Sequence, residues 1–128
     1  MDLSDFAPKS DYITVILKNP KTDEPLTNDD GSEMSVDYWL PHSKEAQEVA
    51  YALSEDKVYE PDAKTTRKDL IDFSNGTFYG SIKSWDITWQ GSKPEYTREL
   101  AEEVFGKLPA LKGQVQEEAG NASGFMDA

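Results

Sequence analysis

Between Ser84 and Val115 the hydrophobic period changes, and this restricts the fold more than any other feature of the chain. Trp85, Ile87 and Trp89 alternate with Asp86, Thr88 and Gln90, the period of two of a half-buried extended segment. Gly91-Ser92-Lys93-Pro94 then supplies turn chemistry, because Gly accepts positive φ and Pro fixes its own. Thr97 is placed to cap a helix starting at about that residue, with Glu99 and Glu102 near its positive end. Leu100, Ala101, Val104, Phe105 and Leu108 make one apolar stripe, and Arg98, Glu99, Glu102 and Glu103 take the other side. Gly106 weakens this helix and Pro109 cannot sit in its interior, so Leu108-Pro109 marks a break. A second helix begins with Pro109 in its first turn. It carries Leu111 and Val115 inward and Gln114, Gln116, Glu117 and Glu118 outward, and Gly120-Asn121 is its expected stop. The small, mostly polar tail 122–128 is expected to be loose, as is the polar arm 1–10.

The front half reads differently. Tyr12-Ile13-Thr14-Val15-Ile16-Leu17 is rich in β-branched residues and bounded by Asn19-Pro20, the strongest strand in the chain. Lys18 to Ser32 is a long hairpin loop, and Met34, Val36, Tyr38 and Leu40 alternate with Ser35, Asp37 and Trp39 in a second strand pairing with the first. Pro41 ends that strand. Ser43 then caps a helix with Ala46, Val49, Ala50 and Leu53 on one face. Asp56 to Pro61 is a break, and Asp62 a second cap candidate.

Composition narrows the function classes. A length of 128 residues suits one domain, 1–128, with a real core. Twenty-five acidic against thirteen basic residues give a net charge of −12, spread along the chain. Such a surface repels phosphate backbones and anionic lipid, so neither nucleic acid nor membrane is an expected partner. Lys64-Thr65-Thr66-Arg67-Lys68 is flanked by Asp62 and Asp69 and reads as a solvated helix face. Without cysteine there are no disulfides or thiolate metal sites. No apolar run approaches the roughly 20 residues of a membrane span, and the N-terminus lacks the basic start of a signal peptide.

Catalytic patterns are missing. His42 is the only histidine, and no local sequence selects a nucleophile or an orienting acid for it. Asp29-Asp30, Glu102-Glu103 and Glu117-Glu118 are adjacent pairs, which on a helix diverge by about 100° and do not share a site. Asp29-Asp30-Gly31-Ser32-Glu33 lacks the ligand alternation of a calcium loop and reads as a hairpin turn. Gly76 and Gly80 bracket Thr77-Phe78-Tyr79 without the Lys-Ser/Thr of a phosphate loop. No enzyme and no cofactor is expected.

The order Trp85, Tyr96-Thr97-Arg98-Glu99-Leu100-Ala101, Leu108-Pro109-Ala110-Leu111 and Gln114-Val115 resembles the closing half of tail assembly chaperones of long-tailed (siphovirus-type) bacteriophages. The Ile13 to Lys18 strand with Asn19-Pro20 and the Pro25-Leu26 turn is similar to the front of such proteins, so the resemblance covers about two thirds of the chain. Ser84 stands where members often have Gly, and Ala110 where a Trp is common. The resemblance implies a protein that coats and solubilises the tape measure protein and helps recruit tail tube protein. It also implies residence in the host cytoplasm and absence from the mature virion. Many members share their domain with a longer frameshift product, a further expected partner.

Residues 74–84 admit two readings. Ile71, Phe78, Ile82 and Trp85 are spaced as on one helical face, and the resemblance favours a long helix leading to Trp85. Ser74-Asn75-Gly76-Thr77 is poor helix material, and local propensity favours a helix ending near Phe73 followed by strand. The helix is the preferred reading. The expected fold is therefore α+β, an N-terminal β-hairpin or small antiparallel sheet packed with about four α-helices, with a helical C-terminal half.

Three Trp, six Tyr and five Phe exceed what a small core needs. Trp39 falls on the polar phase of its strand, and an exposed Trp often marks a contact patch. Trp39, Trp85 and the Phe105/Leu108/Leu111 ridge are the expected partner-facing residues, with self-association into a homo-oligomer also open. Two other classes compete with a chaperone. A virion structural protein, a head-tail completion or tail tube component, would be found in particles, and an acidic inhibitor of a host protein would bind in a salt-dependent way.

Overall fold

A computed structural model describes residues 2–6, 10–55 and 66–123. Among these, three strands form an antiparallel sheet of order β1-β2-β3, with β1 Tyr12–Ile16, β2 Ser35–Trp39 and β3 Ile82–Asp86. The helices α1 Lys44–Glu55 and α2 Arg67–Gly80 are inserted between β2 and β3. Two more, α3 Arg98–Lys107 and α4 Pro109–Ser123, follow β3, so the expected α+β class holds. The arm expected to be loose contains a short 3-10 turn, Leu3–Phe6. The expected break at Asp56 to Pro61, the cap candidate Asp62 and the tail beyond Ser123 lie outside the described residues.

The strand pair β1-β2 follows from its alternation. Tyr12 faces Trp39, Thr14 faces Asp37 and Ile16 faces Ser35 on one side of the sheet. Val15, Val36 and Tyr38 are buried on the other, with Leu17 and Leu40 just beyond the strands. That buried side meets Phe78 and Tyr79 of α2, Ala101, Val104 and Phe105 of α3, and Leu111, Val115 and Ala119 of α4 in one cluster. Phe78 is its hub, with ring centroids 5.6 Å from Tyr38, 5.1 Å from Tyr79 and 5.5 Å from Phe105.

Helix ends are set by side chains. Thr97 has extended backbone angles and its Oγ1 accepts the Leu100 amide at 3.2 Å, the expected cap of α3. Ser43 Oγ accepts from Ala46 N at 3.1 Å at the start of α1. Ahead of α2, Thr66 and Asp69 form a reciprocal capping box, a Thr-x-x-acid signal legible in the sequence but passed over there. Helix α4 starts at Pro109 as expected and continues past Gly120 to Ser123.

Neither reading of residues 74–84 was right throughout. Helix α2 runs on through Ser74-Asn75-Gly76-Thr77 to Gly80, and Trp85 lies in β3 instead of ending a helix. Both errors have a packing cause. Glycine is tolerated at 76 and 80 because α1 lies so close: a Cβ at Gly76 would sit 2.9 Å from Leu53 Cδ2, and one at Gly80 2.6 Å from Val49 Cγ1. The spacing of Ile82 and Trp85 looks helical because β3 is bulged. Asp37 pairs with Ser84 but Tyr38 with Ile82, which leaves Lys83 as the extra residue. Ile82 and Trp85, three apart, thereby both face the helices, and Lys83 and Ser84 both face away. Ile71, grouped with Phe78, Ile82 and Trp85 on one helical face by spacing, does not share their burial and is 51 % exposed.

Gln114 also departs from expectation. It points to β1 and not to solvent: its Oε1 accepts from Lys18 N at 2.9 Å and its Nε2 donates to Lys18 O at 2.8 Å. The amide acts as a one-residue stand-in for a neighbouring strand. Gln114→Ala is expected to cost about 1–2 kcal/mol, read as a lower urea midpoint, with the Lys18 amide exchanging faster.

Candidate functional site

The five residues singled out from the sequence do not form one surface. Phe105 and Leu111 are 2 % and 5 % exposed and belong to the core, so their assignment as partner-facing is corrected: the α3–α4 stripe is covered by the sheet and α2. Leu108, at the break between the two helices, is 42 % exposed. Trp85 is half-buried and held on several sides. Its ring meets Tyr96 edge-on at 5.1 Å, and its Nε1 donates to Pro94 O at 2.9 Å. The loop 91–97 is wrapped over it, which leaves its indole nitrogen no free donor.

Tyr96 fixes that loop to α2 by donating its hydroxyl to Tyr79 O at 2.6 Å. Burial pushes its phenol up to about 12 from the ordinary 10.0. The unfolded chain therefore releases this proton first on alkalinisation. The stabilisation is complete below pH 10 and is lost as pH rises towards about 12. Tyr96→Phe is expected to flatten the stability profile in that window, measured by urea unfolding at stepped pH.

Trp39 is different, since it lies on the face of the sheet opposite the core, which none of the described helices covers. Its ring packs edge-on against Tyr12 at 5.8 Å, and Lys83 Nζ sits 5.8 Å from it and 5.1 Å from Tyr12. The β3 bulge aims Lys83 there, so cation and rings satisfy one another. Alongside, Asp37 accepts from Thr14 Oγ1 at 2.6 Å and from Ser84 Oγ at 3.0 Å. This face is polar and internally bonded around one aromatic pair.

A second surface was not anticipated. Leu70, Ile71 and Phe73 on α2 are 61, 51 and 42 % exposed, and Tyr51 on α1 is also largely open. Residues 70, 71 and 73 project within one side of a helix, and Asp72 between them is exposed. The signal was present as three apolar residues beyond the face that α1 and the core require. A surface row of this kind is an interaction feature more often than a lone exposed Leu is.

The polar clusters are structural. Asn28, buried in the hairpin loop, donates to Ser32 and Asp86 and accepts from Thr88. Lys93 Nζ lies 2.7 Å from Asp30 and 3.2 Å from Asp86, and it holds the Asp30 carboxyl well below the usual carboxylate range. Gly31 takes φ +88° there, as the hairpin-turn reading requires. His42 Nε2 lies 3.2 Å from Asp11 at the exposed start of β1. A shallow polar hollow between α2 and α3 is lined by Asp72, Asn75, Tyr79, Arg98 and Glu102. Among the described residues no group of three His, Asp or Glu side chains is placed to hold a metal ion. No described helix is long and apolar enough to cross a membrane.

No protein-family model matches the chain, and neither the curated proteins nor the solved structures give a match.

Proposed function

We propose that this protein is a tail assembly chaperone, a binding module and not an enzyme. It holds a tape measure protein in the host cytoplasm, helps bring tail tube subunits to it and leaves before the particle is complete. The observation that carries the reading is the exposed row Leu70, Ile71 and Phe73 on a protein of net charge −12. Such a row can take the apolar stripe of an amphipathic helical client, and the charge keeps the loaded complex dispersed. The resemblance of Trp85 to Val115 to the family supplies the client's identity. A longer frameshift product sharing this domain would bind through the same row.

Two purifications test it together. A tagged copy expressed with the tape measure protein of the same genome is expected to retain that protein, and purified particles are expected to lack this chain. Recovery of the chain in particles at tube-like stoichiometry would make it a virion structural protein instead.

A further inference from the structure

We infer that Asp30-Gly31 is a latent isoaspartate site, a place of covalent self-modification that Lys93 and the surrounding turn hold shut. It is the only Asp-Gly pair in the chain. A glycine after an aspartate has no Cβ to hinder attack by its own backbone nitrogen on the preceding side chain. In that reaction Gly31 N bonds to Asp30 Cγ, the Cγ–OH bond of the neutral carboxyl breaks, and the amide proton leaves with the hydroxyl as water. Water then reopens the succinimide ring at either carbonyl. One opening restores aspartate, and the other gives isoaspartate, whose main chain runs through Cβ and Cγ. The water lost is regained, and nothing is oxidised or reduced.

The folded turn occupies each group that the reaction needs. Gly31 N donates to Asn28 O at 2.9 Å, the bond that closes the turn. Asp30 Oδ1 accepts from Ser32 N at 2.9 Å and from Ser32 Oγ at 2.6 Å, and its Oδ2 accepts from Lys93 Nζ at 2.7 Å. These bonds fix Cγ in place and keep the carboxyl ionised, with Lys93 the largest cause. A carboxylate is a poor electrophile and has no hydroxyl to lose. Burial gives no protection here, since the Asp30 side chain is 57 % exposed and water reaches it. The bonds alone keep the site closed.

Lys93 is the part that can release. It lies between β3 and α3, and its Nζ is also 3.2 Å from Asp86. Without it, two carboxylates that shared an ammonium repel each other, which favours the neutral, reactive form of Asp30. Isoaspartate adds a carbon to the main chain of the turn, so Gly31 N loses its register with Asn28 O. Asn28 is 4 % exposed and donates to Ser32 Oγ and Asp86, so the disturbance passes to β3. The site stands apart from the client reading, since the α2 row is not part of this loop.

The test is peptide mapping by mass spectrometry, with isoaspartate separated from aspartate by chromatography, on the full chain aged in warm, mildly acidic buffer. The folded wild type is expected to form isoaspartate at residue 30 at least about tenfold more slowly than the same chain unfolded in urea. Lys93→Met should raise the folded rate at least about threefold, and Lys93→Arg, which keeps the charge, should not. Asn75-Gly76, the only Asn-Gly pair, lies inside α2 and reports loss of the fold itself. Its deamidation should be the same in Lys93→Met as in the wild type. A folded wild type that modifies residue 30 as fast as the unfolded chain overturns the inference. So does a Lys93→Met rate equal to wild type, or one raised equally at residues 30 and 75.

Discussion

Phe105→Ala is expected to lower the stability of the fold by about 3–5 kcal/mol, a large fraction of the roughly 5–15 kcal/mol of an ordinary domain. The ring is 2 % exposed and meets Phe78 edge-on at 5.5 Å and Trp85 at 6.4 Å. Truncation therefore opens a cavity where α2, α3 and the sheet meet. Urea unfolding followed by far-ultraviolet circular dichroism measures the loss. A variant as stable as the wild type would restore Phe105 to the partner-facing role its place on an amphipathic stripe first suggested.

Gly80→Val is expected to destabilise by about 1–3 kcal/mol through overpacking, and to do so locally. The added Cβ would meet Val49 Cγ1 at 2.6 Å, and Val49 is β-branched with few rotamers to adopt in a helix. Helix α1 must move away from α2, its main packing partner. Amide exchange should then show α1 opening while β2 keeps its protection. The glycines of the C-terminal helices give the opposite sign. Nothing lies within 4 Å of a Cβ built on Gly106 or Gly113, so alanine at either should stabilise by roughly 0.5–1 kcal/mol. Destabilisation at Gly106 and none at Gly80 would refute the close α1–α2 packing.

Much of the fold was legible because its signals are local. The alternation of Met34 to Leu40, the Thr97 cap and the Pro109 start each depend on residues within one turn or one strand. The region around Trp85 was not, because the bulge at Lys83 gives a strand the three-residue spacing of a helix. Tertiary contact also decided α2, where Val49 and Leu53 make use of glycines that propensity counts against the helix. The candidate surface was read least well. An apolar stripe such as Phe105, Leu108 and Leu111 states that a face is covered, and does not state by what. Here the sheet and α2 cover it except at Leu108. The reverse error fell on Ile71, grouped by spacing with the buried Phe78 and Ile82 but left in solvent beside Leu70 and Phe73.

The most direct measurement is the soluble yield of the tape measure protein co-expressed with this chain and with its Leu70→Asp/Phe73→Asp double variant. Both positions are on the surface, so the variant should keep the wild-type unfolding free energy, read from urea denaturation, to within about 0.5 kcal/mol. The client is expected to be soluble and bound with the wild-type chain and insoluble with the double variant. A client as soluble with the variant as with the wild type, or equally insoluble with and without the wild-type chain, contradicts a chaperone that grips through this row.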